Sequence, residues 1–187
     1  MKQWRAILIW GGLLCALLVA NFAIRGHERT LSEGRVLLLE LAPVDPRSLM
    51  QGDYMALRFA AAEDVREALY PDSVAGDARM LARARRSWTG ACGGEPCRDG
   101  YAVFALEKDG VGRFVRVQKA PAPVGHGELA VRFRERGWHE IRIASDAWFF
   151  EEGQAKRYEP ARFGELRVAK DGTALLTGLR DERRKRL

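Results

Sequence analysis

Lysine is scarce in this chain, histidine scarcer, and cysteine nearly missing. Only 6 of the 31 basic residues are Lys, against 25 Arg, and the 187 residues hold 3 His and 3 Cys. Each scarcity removes a class of chemistry. His27, His126 and His139 lie far apart in sequence, so no His pair has metal-ligand spacing, and no metal is expected. No Ser stands in a G-x-S-x-G elbow, which removes the strand–turn–helix serine hydrolase signature. The densest basic runs, "RMLARARR" (79–86) and "RDERRKRL" (180–187), carry no interleaved aromatics. A nucleic-acid surface combines basic clusters with stacking rings, so nucleic acid is not an expected partner. No cofactor motif is present, and the sequence contains neither repeats nor low-complexity tracts.

Charge is missing from one long run. "AILIWGGLLCALLVANFAI", Ala6 to Ile24, has none. As a helix rising 1.5 Å per residue it spans about 28 Å, close to the hydrocarbon thickness of a bilayer. Lys2 and Arg5 precede it, and Trp4 and Trp10 lie at its front. Positive charge stays cytoplasmic, which sends the rest of the chain outward, into the periplasm. Cleavage is not expected: Ala20 has Leu18 two positions before it, Ala23 has Asn21, and the apolar core is longer than a signal peptide's. The sequence therefore divides into an anchor over 1–25, a polar linker over 26–34, an exported domain over 35–180 and a basic tail over 181–187. Residues 6–24 are expected to hold the chain in the inner membrane.

An exported domain can oxidise its thiols. Cys92 and Cys97 in "ACGGEPCRDG" are separated by four residues, with Gly-Gly and Pro among them. A disulfide is preferred over zinc, which would need two more ligands, and free thiols are the third option.

The domain reads as mainly β with an α+β character. "RVLLLELA" (35–42) is a short apolar run bounded by turn signals, a buried strand. From residue 100 the hydrophobic period is two. Hairpins are expected around Lys108-Asp109-Gly110, Arg136-Gly137 and Lys170-Asp171-Gly172. Strands at 35–42, 53–60, 100–108, 111–119, 128–135, 138–144, 165–170 and 173–179 predict an antiparallel meander or a small barrel-like sheet. Val111, Arg113, Val115 and Val117 are expected on one face of the first hairpin. Leu129, Val131 and Phe133 oppose Arg132 and Arg134, with Ile141 and Ile143 across the second. Two short helices, "AAEDVREALY" and "DARMLARARRSW", are expected to cover the sheet.

The candidate sites fall around "APVDPRSLMQGDYMALRF", residues 42–59. Asp45 before Pro46 suits a helix start, and Gly52 a helix stop in a left-handed residue. "DYMALRF" then alternates, with Met55, Leu57 and Phe59 facing inward and Tyr54, Ala56 and Arg58 outward. The structural reading is a reversal and strand entry, with Asp53 accepting backbone N–H bonds. The functional reading makes Asp53, Tyr54 and Glu152 a polar ligand site. Glu152 belongs to "WFFEEG", where Trp148, Phe149 and Phe150 precede two carboxylates, with Arg157 or Arg162 following. No catalytic residue is assigned. The alternative, an envelope hydrolase or peptidase using Asp53, Ser48 or a Glu of "EEG", lacks a buried Lys. The first Lys after Ser48 is Lys108, at a hairpin tip where water would keep its pKa high. A third option is an anionic envelope glycan held by the excess Arg.

At "GDYMALRF" the chain resembles the bacterial family named for its GDYXXLXY motif. Gly52, Asp53, Tyr54 and Leu57 match, and Phe59 replaces the final Tyr. "VDPRSLMQ" and "FFEEGQAKRYEPARFGELRV" are similar to what surrounds the motif in that family. The resemblance implies a membrane-anchored protein, and members of that family are often found beside multi-span membrane proteins, which points to a partner in the bilayer. It assigns no reaction, so a binding or accessory module is the expected role.

Overall fold

A computed structural model describes residues 2–42, 50–51, 54–70, 99–136 and 140–187. Its first element is helix α1 (Lys2–Glu33). The uncharged run forms its greater part, as expected. The helix does not stop there, however: the stretch read as a polar linker continues it to Glu33. Its polar side chains bond along the helix itself. Thr30 Oγ1 donates to the Gly26 carbonyl, Ser32 Oγ to that of Glu28, and Arg29 pairs with Glu33. Spacings of three and four residues let these groups meet on one helix face.

Ten strands follow among the described residues: β1 (Arg35–Glu40), β2 (Met50–Gln51), β3 (Tyr54–Ala56), β4 (Asp99–Leu106), β5 (Gly112–Gln118), β6 (Glu128–Arg136), β7 (Glu140–Ile143), β8 (Ala147–Phe149), β9 (Phe163–Val168) and β10 (Ala174–Arg180). They build three antiparallel sheets, ordered β1-β9-β10, β2-β3-β8 and β5-β4-β6-β7. Among the described residues the sheets do not close into a barrel. The two short strands β2 and β8 were not legible as strands, because two or three residues cannot show a period. Helix α2 (Ala61–Leu69) buries Ala61, Val65 and Leu69, one per turn, and carries Glu63 and Asp64 in its first turn, where the helix dipole favours acid. A four-residue helix, α3 (Ala155–Tyr158), follows β8. The helix expected in "DARMLARARRSW" and the Cys92–Cys97 loop lie outside the described residues.

The main core lies between the β1 and β4 sheets under α2. Leu37, Leu39, Val65, Phe104, Phe133 and Leu166 are fully or almost fully buried there. The inward register of Leu129, Val131 and Phe133, with Arg132 and Arg134 outside, is as expected, and Ile141 and Ile143 are buried. The β5 face is not as expected. A bulge shifts the β4–β5 register between Val103 and Phe104, so Val115 faces solvent while Phe114 and Val117 reach the core. An inserted residue reverses the alternation beyond it.

Both Lys-Asp-Gly tips form as predicted. Gly110 and Gly172 have φ of 86° and 83°, a region open to glycine at little cost. Asp109 and Asp171 accept the amides of Val111 and Thr173 through Oδ1. Each tip reaches across to the other sheet. The Leu38 amide donates to the Gly110 carbonyl at 2.9 Å, and the Arg132 amide to the Gly172 carbonyl at 2.8 Å.

Residues 181–187 fold back on the domain. The Leu187 amide donates to the Leu179 carbonyl, Arg186 donates to that of Thr177, and Arg184 pairs with Asp109 at 2.6 Å. The basic side chains read as a tail are thus partly spent on intramolecular contacts.

Candidate functional site

β1 delivers the chain to the signature. Beyond Glu40, Leu41 bridges Phe59, and the Ala42 amide donates to the Arg58 carbonyl. Met55, Leu57 and Phe59 are 3%, 5% and 4% exposed, whereas Tyr54 and Ala56 are half-buried and Arg58 is exposed. The alternation read from "DYMALRF" therefore holds over Tyr54–Phe59. The three inward side chains serve two cores. Met55 and Leu57 join Ala161 and Leu179 in a small second core, bordered by Trp148, Tyr158 and Leu187. Phe59 enters the main core and lies on Gly164 of β9, where an added Cβ would stand 2.7 Å from the Phe59 ring.

Asp45, Pro46, Ser48, Gly52 and Asp53 lie outside the described residues. Their neighbours correct one expectation. Met50–Gln51 is a strand that pairs back on Met55 and Tyr54, so no helix runs directly into Gly52. Gly52 and Asp53 fall in sequence between two paired strands, a spacing used by two-residue hairpin loops. Helix stops and strand reversals both favour Gly, so the residue type at 52 does not separate the two readings.

Outward, β3 pairs with β8, placing Tyr54 opposite Phe149. Their ring centroids are 5.7 Å apart at 40°, within the range of favourable aromatic pairs. Phe149 is 74% exposed. Its neighbours turn the other way. Trp148 and Phe150 pack against Tyr158 with centroids at 6.1 and 5.2 Å, and the Arg157 guanidinium lies 5.6 Å from the Tyr158 ring. Strand alternation thus divides the "WFF" cluster between core and surface. Glu152 is exposed in the turn after β8, three residues past Tyr54's partner. Of the expected trio the structure places Tyr54 on the sheet and Glu152 in that turn; what it brings against Tyr54 is Phe149.

Carboxylates that sequence reading passed over sit elsewhere. Glu135 is 4% exposed and accepts the Tyr70 hydroxyl. It continues the inward series Leu129, Val131, Phe133, so its burial was available from the period of β6. Glu165, 5% exposed, pairs with Arg180 at 2.7 Å and also accepts the Thr177 hydroxyl. Glu128 accepts both Arg116 Nη groups, at 2.9 and 2.8 Å, and the Gly125 amide at 2.7 Å. The Arg116 bonds, seconded by that amide, hold its carboxyl down at about 2. These groups stabilise their anionic forms or sit buried with partners, as structural groups do. Lys108 is exposed at its tip, and His27 and His126 are exposed. Among the described residues no three His, Cys, Asp or Glu gather as a metal site.

The architecture is that of an antiparallel β-domain carried on one long apolar helix, with the Tyr-containing signature strand β3 lodged between β2 and the aromatic edge strand β8. Among the described residues one helix, Leu8–Glu33, is long and apolar enough to cross a membrane. The profile of the GDYXXLXY protein family matches residues 16–179, and the chain belongs to that family. No curated protein and no solved structure matches it.

Proposed function

We propose that this protein is a single-pass inner-membrane protein, amino terminus in the cytoplasm, whose periplasmic β-domain is a binding or accessory module for another membrane or envelope component. One observation carries the reading: the apolar face of α1 is uncovered on every side. Leu8, Trp10, Leu14, Leu18, Val19 and Phe22 are 61–83% exposed. Moving such a side chain out of water is worth roughly 1.5–3 kcal/mol, so the segment calls for lipid or a neighbouring span. The exposed Phe149 beside Tyr54 supports the binding half of the proposal, because an exposed ring on a sheet edge is a ready anchor for a partner. A multi-span membrane protein is the preferred partner.

Cross-linking at native abundance followed by detergent purification tests this. A reproducible membrane-protein partner is expected, and recovery of the chain alone would count against the module. Asp53→Asn separates the hydrolase alternative. A variant that melts like the wild type, keeps the partner and loses the cellular phenotype would favour chemistry at that carboxylate.

A further inference from the structure

The membrane segment and the β-domain are joined without slack. α1 runs unbroken through the stretch read as a linker, and β1 begins two residues after Glu33. Arg25 to Glu33 add about 13 Å of helix beyond the uncharged run. At its end Thr30 is 6% exposed, and the Gly34 amide donates to the Thr30 carbonyl at 3.0 Å. The Gly34 carbonyl accepts Arg167 Nη1 at 3.0 Å. Arg35 is already paired with Val168 of β9. Gly34 has no room: an added Cβ would collide with the Thr30 carbonyl oxygen and come within 3.2 Å of the Val168 amide and 3.3 Å of Arg167 Cβ. A flexible tether would show exposed, unpaired backbone at this junction. Here helix cap, buried side chain and strand pairing follow one another residue by residue.

We infer that α1 and the β1-β9-β10 sheet act as one rigid lever, through which rotation or tilt of the membrane helix reorients the signature face. β1 is the arm. It covers about 17 Å from Arg35 to Glu40 at 3.3 Å per residue, and Glu40 accepts the Ala60 amide just past Phe59. A second span gripping α1 would thereby set the direction in which Tyr54 and Phe149 face. Gly26, a weak helix former, is the soft point of the lever. The Thr30 hydroxyl bonds its carbonyl, a contact that favours bending at the same place.

The inference rests on α1 being the membrane anchor, and the two fail separately. Carbonate extraction of membranes reports the anchor alone. The lever is read from spin-label distances in the full chain, with encoded ketone residues labelled at Leu18 and Lys170, in detergent or lipid. The wild type should give one narrow distance distribution. One, two, three or four alanines inserted between Arg25 and Gly26 should move it with helical phase, about 100° and 1.5 Å per residue. Gly-Ser-Gly-Ser inserted after Glu33 should broaden it severalfold. A wild-type distribution as broad as that of the Gly-Ser variant, or distances indifferent to alanine phase, would overturn the lever. The alanine insertions lie in helix that touches no part of the domain, so they leave its folding intact.

Discussion

Replacing Gly164 by alanine tests how the last residue of the signature is seated. The added methyl carbon would lie 2.7 Å from Phe59 Cε1, 3.1 Å from Cζ and 3.2 Å from Leu176 Cδ1. Leu176 ends in a mobile methyl and can yield. Phe59 is 4% exposed, with its backbone bridged to Leu41, so its ring can move only by displacing the main core. Overpacking of this kind costs roughly 1–3 kcal/mol. Against it stands the loss of unfolded-state freedom when Gly becomes Ala, which stabilises by about 0.4–1 kcal/mol. The collision wins, and the net loss is about 1–2 kcal/mol. At roughly 2–4 °C per kcal/mol for a chain of this size, the melting temperature should fall by about 2–8 °C. Thermal unfolding followed by circular dichroism of the full chain in detergent measures it. Phe59→Leu supplies the cycle: a shorter side chain relieves the collision, so the double variant should lose less than the sum of the single losses by about 1 kcal/mol. Strict additivity, or a Gly164→Ala protein melting with the wild type, would refute the packing argument.

Arg180→Ala leaves the Glu165 carboxylate buried without its cation and should cost about 3 kcal/mol. Glu165→Leu with Arg180→Met should recover most of that in the same melt, because a buried ion pair costs nearly as much to desolvate as it returns. Glu128 titrates at about 2 in the folded chain against 4.5 ordinarily. Its contribution is therefore complete above 4.5 and is lost as pH falls from there toward 2; acid unfolding of Glu128→Gln should be flatter in that window. Deleting residues 181–187 should lower the melting temperature by several degrees, since it removes Leu187 from the second core and Arg184 from Asp109. A tail that only carries charge would be dispensable.

Most of the sheet was legible in the sequence because its strands are half-buried and bounded by glycine turns. β1 could be read from its short apolar run, and β4, β5, β6, β7, β9 and β10 from period two and the glycine turns. What escaped depends on contacts made far along the chain. The Val115 bulge is set by pairing with β4, and β2 and β8 exist only as mates of Tyr54–Ala56. The α1 extension has a polar sequence, so hydropathy marks the end of the apolar run but says nothing of where the helix ends. In the signature, the inward roles of Met55, Leu57 and Phe59 followed from alternation, whereas the second core that Met55 and Leu57 help build required Ala161 and Leu179 from far along the chain. The partner of Tyr54 was hidden for the same reason: Phe149 meets it only through β-pairing.

The two Lys-Asp-Gly tips clasp in opposite directions, one from the β4–β5 hairpin onto β1, the other from β9–β10 onto β6. A pair of reciprocal hooks behaves unlike a single hinge. Neither sheet can swing open while the other stays whole, because each holds the other's latch. The domain should accordingly yield in one step under load, and a pull arriving through α1 at Arg35 should be divided at once between both sheets.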